Sequence, residues 1–342
     1  MKILYAIQGT GNGHISRAGD LVPLLREMAT TDVLISGIQA DVEPGFSIDF
    51  RLHGMGFIFG KKGNVDFIKT FRKCITREFV REVKNLPVEN YDLVINDFEP
   101  VSAWAAKLRG VPCVSLSHQY AVIHGNAPKS ERNDWMGKMI LANYAPVQKG
   151  YGFHFQPYAP NIFTPVIRQE VRNLRVSTGN HISVYLPAYD DERILRVLSG
   201  IKEVNWDIFS KHCSREIRQD HIRIRKIENQ SFLKSMASCK GVLCGAGFET
   251  PAEALFLGKK LMVIPMKNQY EQQCNAASLE QMGVASIRSL KKKHSASIAE
   301  WATNGIAIRV QYPDQSGNIL RNILNDASEL PRPKPLKMLN LL

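Results

Sequence analysis

The sequence predicts an α/β protein built from two doubly wound parallel domains. Three observations predict it. Strand-length apolar runs alternate with helical periodicity from residue 2 to about 117, and the alternation restarts at 181; this is the pattern of parallel strand–helix units. Pro157, Pro160 and Pro165 punctuate the stretch between the runs and set the join near 160. The chain has 342 residues, 44% of them hydrophobic, which suits two domains with sizeable cores.

In chain order, residues 2–8 (KILYAIQ) read as a short apolar strand. The loop Gly9-Thr10-Gly11-Asn12-Gly13 follows, then His14 and a helical pattern to about Met28. Residues 32–36 and 47–53 read as the next two strands, 54–63 as a glycine-rich loop and 65–85 as a basic helix. Strand 91–96, helix 99–109 and strand 111–117 continue the alternation. Residues 124–133 are polar and loop-like, and 134–144 (DWMGKMILANY) place Trp135, Met136, Met139 and Ile140 on one helical side. Residues 151–156 close the first domain as its last strand.

The second run comprises strand 181–187, helix 191–199, strands 204–209 and 222–226, helix 231–237 and strand 241–244. It leads into residues 243–276, LCGAGFETPAEALFLGKKLMVIPMKNQYEQQCNA. Gly245 and Gly247 mark a sharp turn or a close backbone approach. Thr250-Pro251-Ala252-Glu253 has the form of a helix start: a capping threonine, a proline at the first position and a glutamate completing the box. Gly258 ends that helix, 260–265 form a buried strand, and Asn268 and Gly283 bound the next helix. Residues 314–326 read as a last helix, and 329–342, with three prolines, as a loose tail.

A glycine turn running into a helix N-terminus suits an anion, because free N–H groups and the positive dipole end face outward there. Ligands of α/β sheets bind at the carboxyl ends of strands. Glu253, Glu271 and Gln272 stand beside that turn in the sequence. A diphosphate on the turn, with diols held by these side chains, is one reading; helix capping by Glu253 with Thr250 and by Glu271 with Asn268 is the other.

Gly245 through Glu253, followed by Glu271-Gln272-Gln273-Cys274-Asn275-Ala276, resembles the donor-site signature of family 1 glycosyltransferases of GT-B fold. That family includes UDP-glucuronosyltransferases, macrolide glycosyltransferases and the lipid-linked N-acetylglucosaminyltransferase of peptidoglycan synthesis. Its usual ending is Asp-Gln-x-x-Asn-Ala, and this chain has Glu271 for the aspartate. The resemblance implies two Rossmann-like domains facing across a cleft: an acceptor domain over 1–160, a donor domain over 161–312, and a helix over 313–328 crossing back to the first. It implies an inverting transfer, by one direct displacement, from a nucleotide sugar, taken as UDP-linked. Gly245, Ala246, Gly247, Phe248, Thr250, Glu253, Glu271 and Gln272 would bind the donor, and the segment from Ile227 to Asn229 would meet the base.

The amino-terminal loop has G-x-G-x-G spacing rather than the G-x-G-x-x-G of dinucleotide binding, and Ser36-Gly37-Ile38-Gln39 offers no acid after strand two. In the glycosyltransferase reading Gly9, Thr10, Gly11, Asn12 and Gly13 lie on the acceptor side, and His14 matches the family's general base. A histidine at a helix N-terminus is kept neutral by the dipole and able to accept a proton. Asp97, ending the strand 91–96, is the candidate orienting partner, with a plain helix-capping role as the alternative. His118 ends the next strand at the same edge, where it could meet acceptor or donor or serve only a local turn.

The net charge of +12 favours anionic partners, although no zinc finger, KH or RRM pattern points to nucleic acid. Basic residues between Lys61 and Lys84, with the apolar side of 134–144, fit either an anionic membrane surface and a lipophilic or lipid-linked acceptor, or ordinary packing. The six cysteines form no C-x-x-C pair, no D-x-D motif appears in the donor segment, and no secretory leader pattern opens the sequence. No metal or cofactor beyond the UDP-sugar co-substrate is expected, and a cytoplasmic place in carbohydrate metabolism is. An epimerase or hydrolase of nucleotide sugars on the same fold, and a non-catalytic nucleotide-sugar-binding subunit, are the competing readings.

Overall fold

Runs that are apolar at every position cannot face water on either side, and they become interior parallel strands. In the computed structural model, which describes residues 1–37, 44–55, 76–131, 134–213 and 215–336, residues 3–7 within KILYAIQ form such a run. Ile3, Leu4, Tyr5, Ala6 and Ile7 are fully buried in β1 (Lys2–Gln8). The described residues divide into two compact units. One draws on 1–127, 134–168 and 313–342, the other on 128–133 and 169–312.

The first unit continues with α1 (Asn12–Met28), β2 (Thr30–Ser36), β3 (Phe50–Leu52), α2 (Arg77–Asn85), β4 (Leu93–Asp97), α3 (Pro100–Arg109), β5 (Cys113–Ser117), α4 (His118–Ile123), α5 (Trp135–Asn143), β6 (Lys149–Phe153) and β7 (Ile162–Phe163). The sheet order is β3-β2-β1-β4-β5-β6-β7, every pairing parallel. The chain winds outward from β1 through β2 and β3, then returns to the other side of β1 with β4. The strand order therefore reverses between β1 and β4, with Ile7 in register with Asp97. Ligands of open α/β sheets bind beyond the carboxyl ends of the strands at such a reversal.

The second unit holds α6 (Gln169–Arg172), β8 (His181–Tyr185), α7 (Asp191–Leu198), β9 (Asn205–Ser210), β10 (Ile217–Gln219), β11 (Ile222–Lys226), α8 (Asn229–Ser238), β12 (Gly241–Gly245), α9 (Glu249–Phe256), β13 (Lys260–Ile264), α10 (Tyr270–Gln281), β14 (Ala285–Ser286) and α11 (Ser295–Asn304). Its sheet order is β10-β11-β9-β8-β12-β13-β14, parallel except for the β10–β11 hairpin. Here the order reverses between β8 and β12, so Gly245 ends a strand at the corresponding place. Val184, Trp206, Ile208, Leu243 and Met262 lie in the core against α7 and α11.

The last helix, α12 (Ser316–Ser328), belongs to the first unit. It buries Ile319, Leu320 and Ile323 and packs on α1. Asp326 accepts hydrogen bonds from Lys149 Nζ (2.7 Å) and from the Tyr151 hydroxyl on β6.

Several expected elements differ in detail. The strand expected at 151–156 is β6, and it is not the last, because β7 adds an edge. β7, β10, β14, α6 and α11 were not expected; the first four are two to four residues long and too short to show a period. Of the helix expected over 65–85, Arg77–Asn85 is helical and capped by Thr76, which accepts from Phe79 N–H at 3.0 Å. Residues 65–75, much of the basic stretch, and most of the glycine-rich loop lie outside the described residues.

Ile323 is fully buried. Ile323→Ala should cost about 2–5 kcal/mol of stability, measured as a lower urea midpoint at unchanged slope. An unchanged midpoint would show that α12 is not part of this core.

Candidate active site

At the β1–β4 reversal the chain has to turn without crowding its neighbour. A Cβ on Gly9 would lie 2.9 Å from both Ile35 Cγ2 and Ser36 O, so only glycine fits. Gly9 N–H donates to Ser36 O at 2.6 Å. Gln8 Nε2 donates to the Thr10 hydroxyl at 2.9 Å, and Gly11, at φ +99°, starts α1 with no side-chain cap. His14 therefore stands in the first turn of α1, beside Asn12 and Gly13.

Asp97 arrives from β4. The turn after it is tied tightly: Asn96 Nδ2 donates to Glu99 O (2.6 Å) and Ser102 Oγ (2.9 Å), and Glu99 N–H donates to Asn96 Oδ1 (3.0 Å). Phe98 is forced to φ +58°, a left-handed conformation that side chains adopt at a cost. Glu99 caps α3, accepting from Val101 N–H (2.7 Å) and Ser102 N–H (2.6 Å). Asp97 is thus released from capping and turned to α1. Its Oδ1 lies 2.9 Å from His14 Nδ1.

Asp97 has no exposed side-chain surface, and an uncompensated carboxylate there would be costly. Arg17 supplies the compensation. It is 2% exposed, and its NH2 nitrogen donates to Oδ1 at 2.9 Å and to Oδ2 at 2.7 Å. Its guanidinium also sits 5.5 Å from the Phe153 ring centre. Burial would raise the Asp97 carboxyl, but Arg17 and His14 together outweigh it and hold the group below the ordinary carboxylate range. On the far side of the imidazole, Gln119 Nε2 lies 3.3 Å from His14 Nε2.

The remaining expected acceptor-side residue behaves differently. His118 begins α4 inside the fold, 1% exposed, and bonds through Nδ1 to Phe153 O at 2.8 Å. It is an interior anchor rather than a loop residue. Arg17 and Gln119 were not singled out from the sequence. His14 and Arg17 are three residues apart, so both face one side of the helix, and that spacing was the available signal. For Gln119 only its place two residues after the end of β5 was legible.

In the second unit Gly245 ends β12, and Ala246 and Phe248 are buried in the turn that follows. The capping box expected at Thr250 does not form. α9 starts at Glu249 with Phe248 as its cap residue, and its first helical bond is Ala252 N–H to Phe248 O at 3.1 Å. Thr250 and Pro251 are thus already inside the first turn, and Glu253 lies in the next turn, 3% exposed. Asn268 likewise does not cap: it takes φ +64°, and α10 begins at Tyr270 with Glu271 in its first turn. Gln272 Oε1 accepts from Met266 N–H at 2.9 Å, Gln273 Nε2 donates to Met266 O at 3.0 Å, and buried Asn275 donates to Ala246 O at 3.1 Å. The side chains of Gln272, Gln273 and Asn275 thereby pin two loops at the carboxyl edge.

The expected base loop is more constrained than its sequence showed. Ile227 N–H donates to Ser210 O at 3.1 Å and prolongs the sheet ladder. Asn229 is the first residue of α8, and its amide donates to both Glu170 oxygens, at 3.2 and 3.1 Å. Cys244 and Cys274 are buried, and burial pushes both thiols up from their ordinary value.

Two doubly wound parallel units, each with its turn at the point of strand reversal, make up the GT-B fold. The chain matches glycosyl transferase family 1 over residues 1–304 and belongs to that family; it is a glycosyltransferase. Among solved structures it is similar to MurG of Acinetobacter baumannii, with TM-score 0.59 and 14% identity over 95% of this chain and 99% of that one. It is also similar to UGT2 of Phytolacca americana, solved with UDP-2-fluoro-glucose and pterostilbene, with TM-score 0.57 and 12% identity over 96% and 94%. A UDP-N-acetylglucosamine 2-epimerase structure gives TM-score 0.56 and 13% identity over 98% and 99%. No curated protein matches the sequence.

The Arg17–Asp97 pair generates a direct expectation. Arg17→Met leaves a buried carboxylate unmatched and should cost about 3–5 kcal/mol. Adding Asp97→Asn should recover most of that loss. Strictly additive losses in urea unfolding would show that the two side chains do not compensate each other.

Proposed function

We propose that the protein is an inverting glycosyltransferase that moves a sugar from a nucleotide donor, UDP-linked, to an acceptor hydroxyl, with His14 as general base. The observation that carries this reading is the His14–Asp97 contact of 2.9 Å at the strand reversal of the first unit. With Asp97 ionised, Nδ1 carries the ring proton and Nε2 is left to accept one. The acceptor O–H proton passes to Nε2 as the oxygen bonds to the anomeric carbon. The bond from that carbon to the diphosphate oxygen breaks, and its electron pair leaves with the nucleoside diphosphate. Asp97 then steadies the imidazolium, while Arg17 keeps Asp97 anionic.

The donor would sit in the second unit. Backbone N–H groups at the Gly245–Thr250 turn would meet the diphosphate, and no metal is needed for that contact. Glu253 and Glu271 are assigned the sugar and ribose hydroxyls. The uracil reading rests on the family signature; the UDP-2-fluoro-glucose held by the Phytolacca enzyme is in keeping with it. For the acceptor we favour a lipophilic hydroxyl compound. Trp135 is 59% exposed on α5, and Met136, Met139 and Ile140 beside it are only half-buried. No helix among the described residues is long and apolar enough to cross a membrane; the contact we favour with an anionic bilayer is a peripheral one.

A thermal-shift screen over UDP, TDP and their sugars tests the donor, because a ligand of the native state raises the midpoint by mass action. UDP compounds should raise it, and Glu253→Ala and Glu271→Ala should each diminish the rise. Full nucleotide response in both variants would remove these carboxylates from the donor site. His14→Ala should lower transfer by about 100-fold or more with donor affinity kept; transfer at the native rate would exclude His14 as base. Consumption of the nucleotide sugar without any acceptor would point instead to an epimerase or hydrolase. Vesicles of rising anionic lipid content should pull down the protein at low salt and release it at high salt, and failure to sediment would favour a soluble acceptor.

A further inference from the structure

We propose that Gln119 is a positioning residue for His14: its amide holds the imidazole in the tautomer whose bare Nε2 meets the acceptor, and it marks the place the acceptor hydroxyl must enter. The inference rests on reading His14 as the base. It starts from the two ring nitrogens, which have partners of opposite kind. Asp97 Oδ1, 2.9 Å from Nδ1, belongs to a carboxylate that can only accept. Gln119 Nε2, 3.3 Å from Nε2, can only donate. One tautomer satisfies both, with hydrogen on Nδ1 and the lone pair on Nε2. The other sets a lone pair against a carboxylate and an N–H against an NH2 group. Arg17 NH2 lies 3.3 Å from Nδ1, but the same nitrogen is already committed to both Asp97 oxygens at shorter range, 2.9 and 2.7 Å. It does not compete for the ring.

The placement of Gln119 is built rather than incidental. It is the second residue of α4, whose start is fixed by Ser117 Oγ accepting from Tyr120 N–H at 3.2 Å. The residue before it, His118, is anchored to Phe153 O on β6 at 2.8 Å. Gln119 itself is 6% exposed. Ordering and desolvating a long polar side chain is unfavourable unless its hydrogen bonds are met, and here one of them is spent on the catalytic nitrogen. Because Nε2 is the atom an acceptor hydroxyl has to reach, the amide N–H occupies the acceptor's position. When the hydroxyl enters, its proton points at Nε2 and the displaced amide N–H donates to the hydroxyl oxygen. That oxygen keeps its remaining lone pair for the anomeric carbon, and Gln119 takes no proton itself.

The test is long-range proton–nitrogen correlation of the histidine rings in the full-length protein labelled at histidine, with His14→Gln assigning the His14 signals. The native protein should show His14 with hydrogen on Nδ1 only. Gln119→Met keeps the length and loses the donor. The His14 tautomer ratio should then fall by roughly five- to tenfold, the scale of one lost hydrogen bond. Gln119→Glu keeps the shape and places an acceptor on Nε2, so His14 should show hydrogen on both nitrogens at neutral pH. A native ring with hydrogen on Nε2, or His14 signals unmoved in a folded variant of either kind, would overturn the proposal. Its failure is separable from failure of the functional reading: His14→Ala transferring at the native rate removes the base but leaves the tautomer result standing.

Discussion

Asp97 has no exposed side-chain surface, and in the first unit its charge is matched by Arg17. The match fixes more than one side chain. Arg17 lies on α1 and Asp97 at the end of β4, so their contact locks the helix that follows β1 to the strand beside it. His14 is carried one turn away on the same helix face, and its Nδ1 meets Asp97 Oδ1, which Arg17 also holds. The His14 ring is thus placed by the interior of the domain and not by the loop that precedes it. Rigid placement of this kind lets a positioned base contribute to rate.

The second unit solves the same geometric problem with neutral groups. Its turn after β12 is held by Asn275 on the Ala246 carbonyl, and the neighbouring loop by Gln272 and Gln273 on both backbone groups of Met266. Side-chain amides suit this task, since each offers both donors and an acceptor without bringing charge to the turn. Gln272, Gln273 and Asn275 thus hold the backbone around this turn.

Much of this was legible in the sequence because the strands are buried on both faces. Residues 3–7, the run ending at Cys244 and residues 261–264 stand out as apolar, and Gly9 and Gly245 mark the turns after the first two. Helix starts were less legible. Thr250-Pro251-Ala252-Glu253 has the local signature of a capping box, yet the helix starts at Glu249 and buried Phe248 takes the cap position. Asn268 has the residue type of a cap but is spent on a left-handed turn. Arg17 and Gln119 were invisible for a different reason: a buried arginine and a buried glutamine look like surface residues until the partner that requires them, 80 or more residues away, is in place.

The central claim is that His14 deprotonates an acceptor that displaces the nucleoside diphosphate in one step. The anomeric configuration of the first product, read by proton NMR from an α-linked UDP-sugar, tests it most directly. A single displacement inverts the centre, so the product formed should be β-linked. An α-linked first product would require a second displacement or a different route, and would contradict the account.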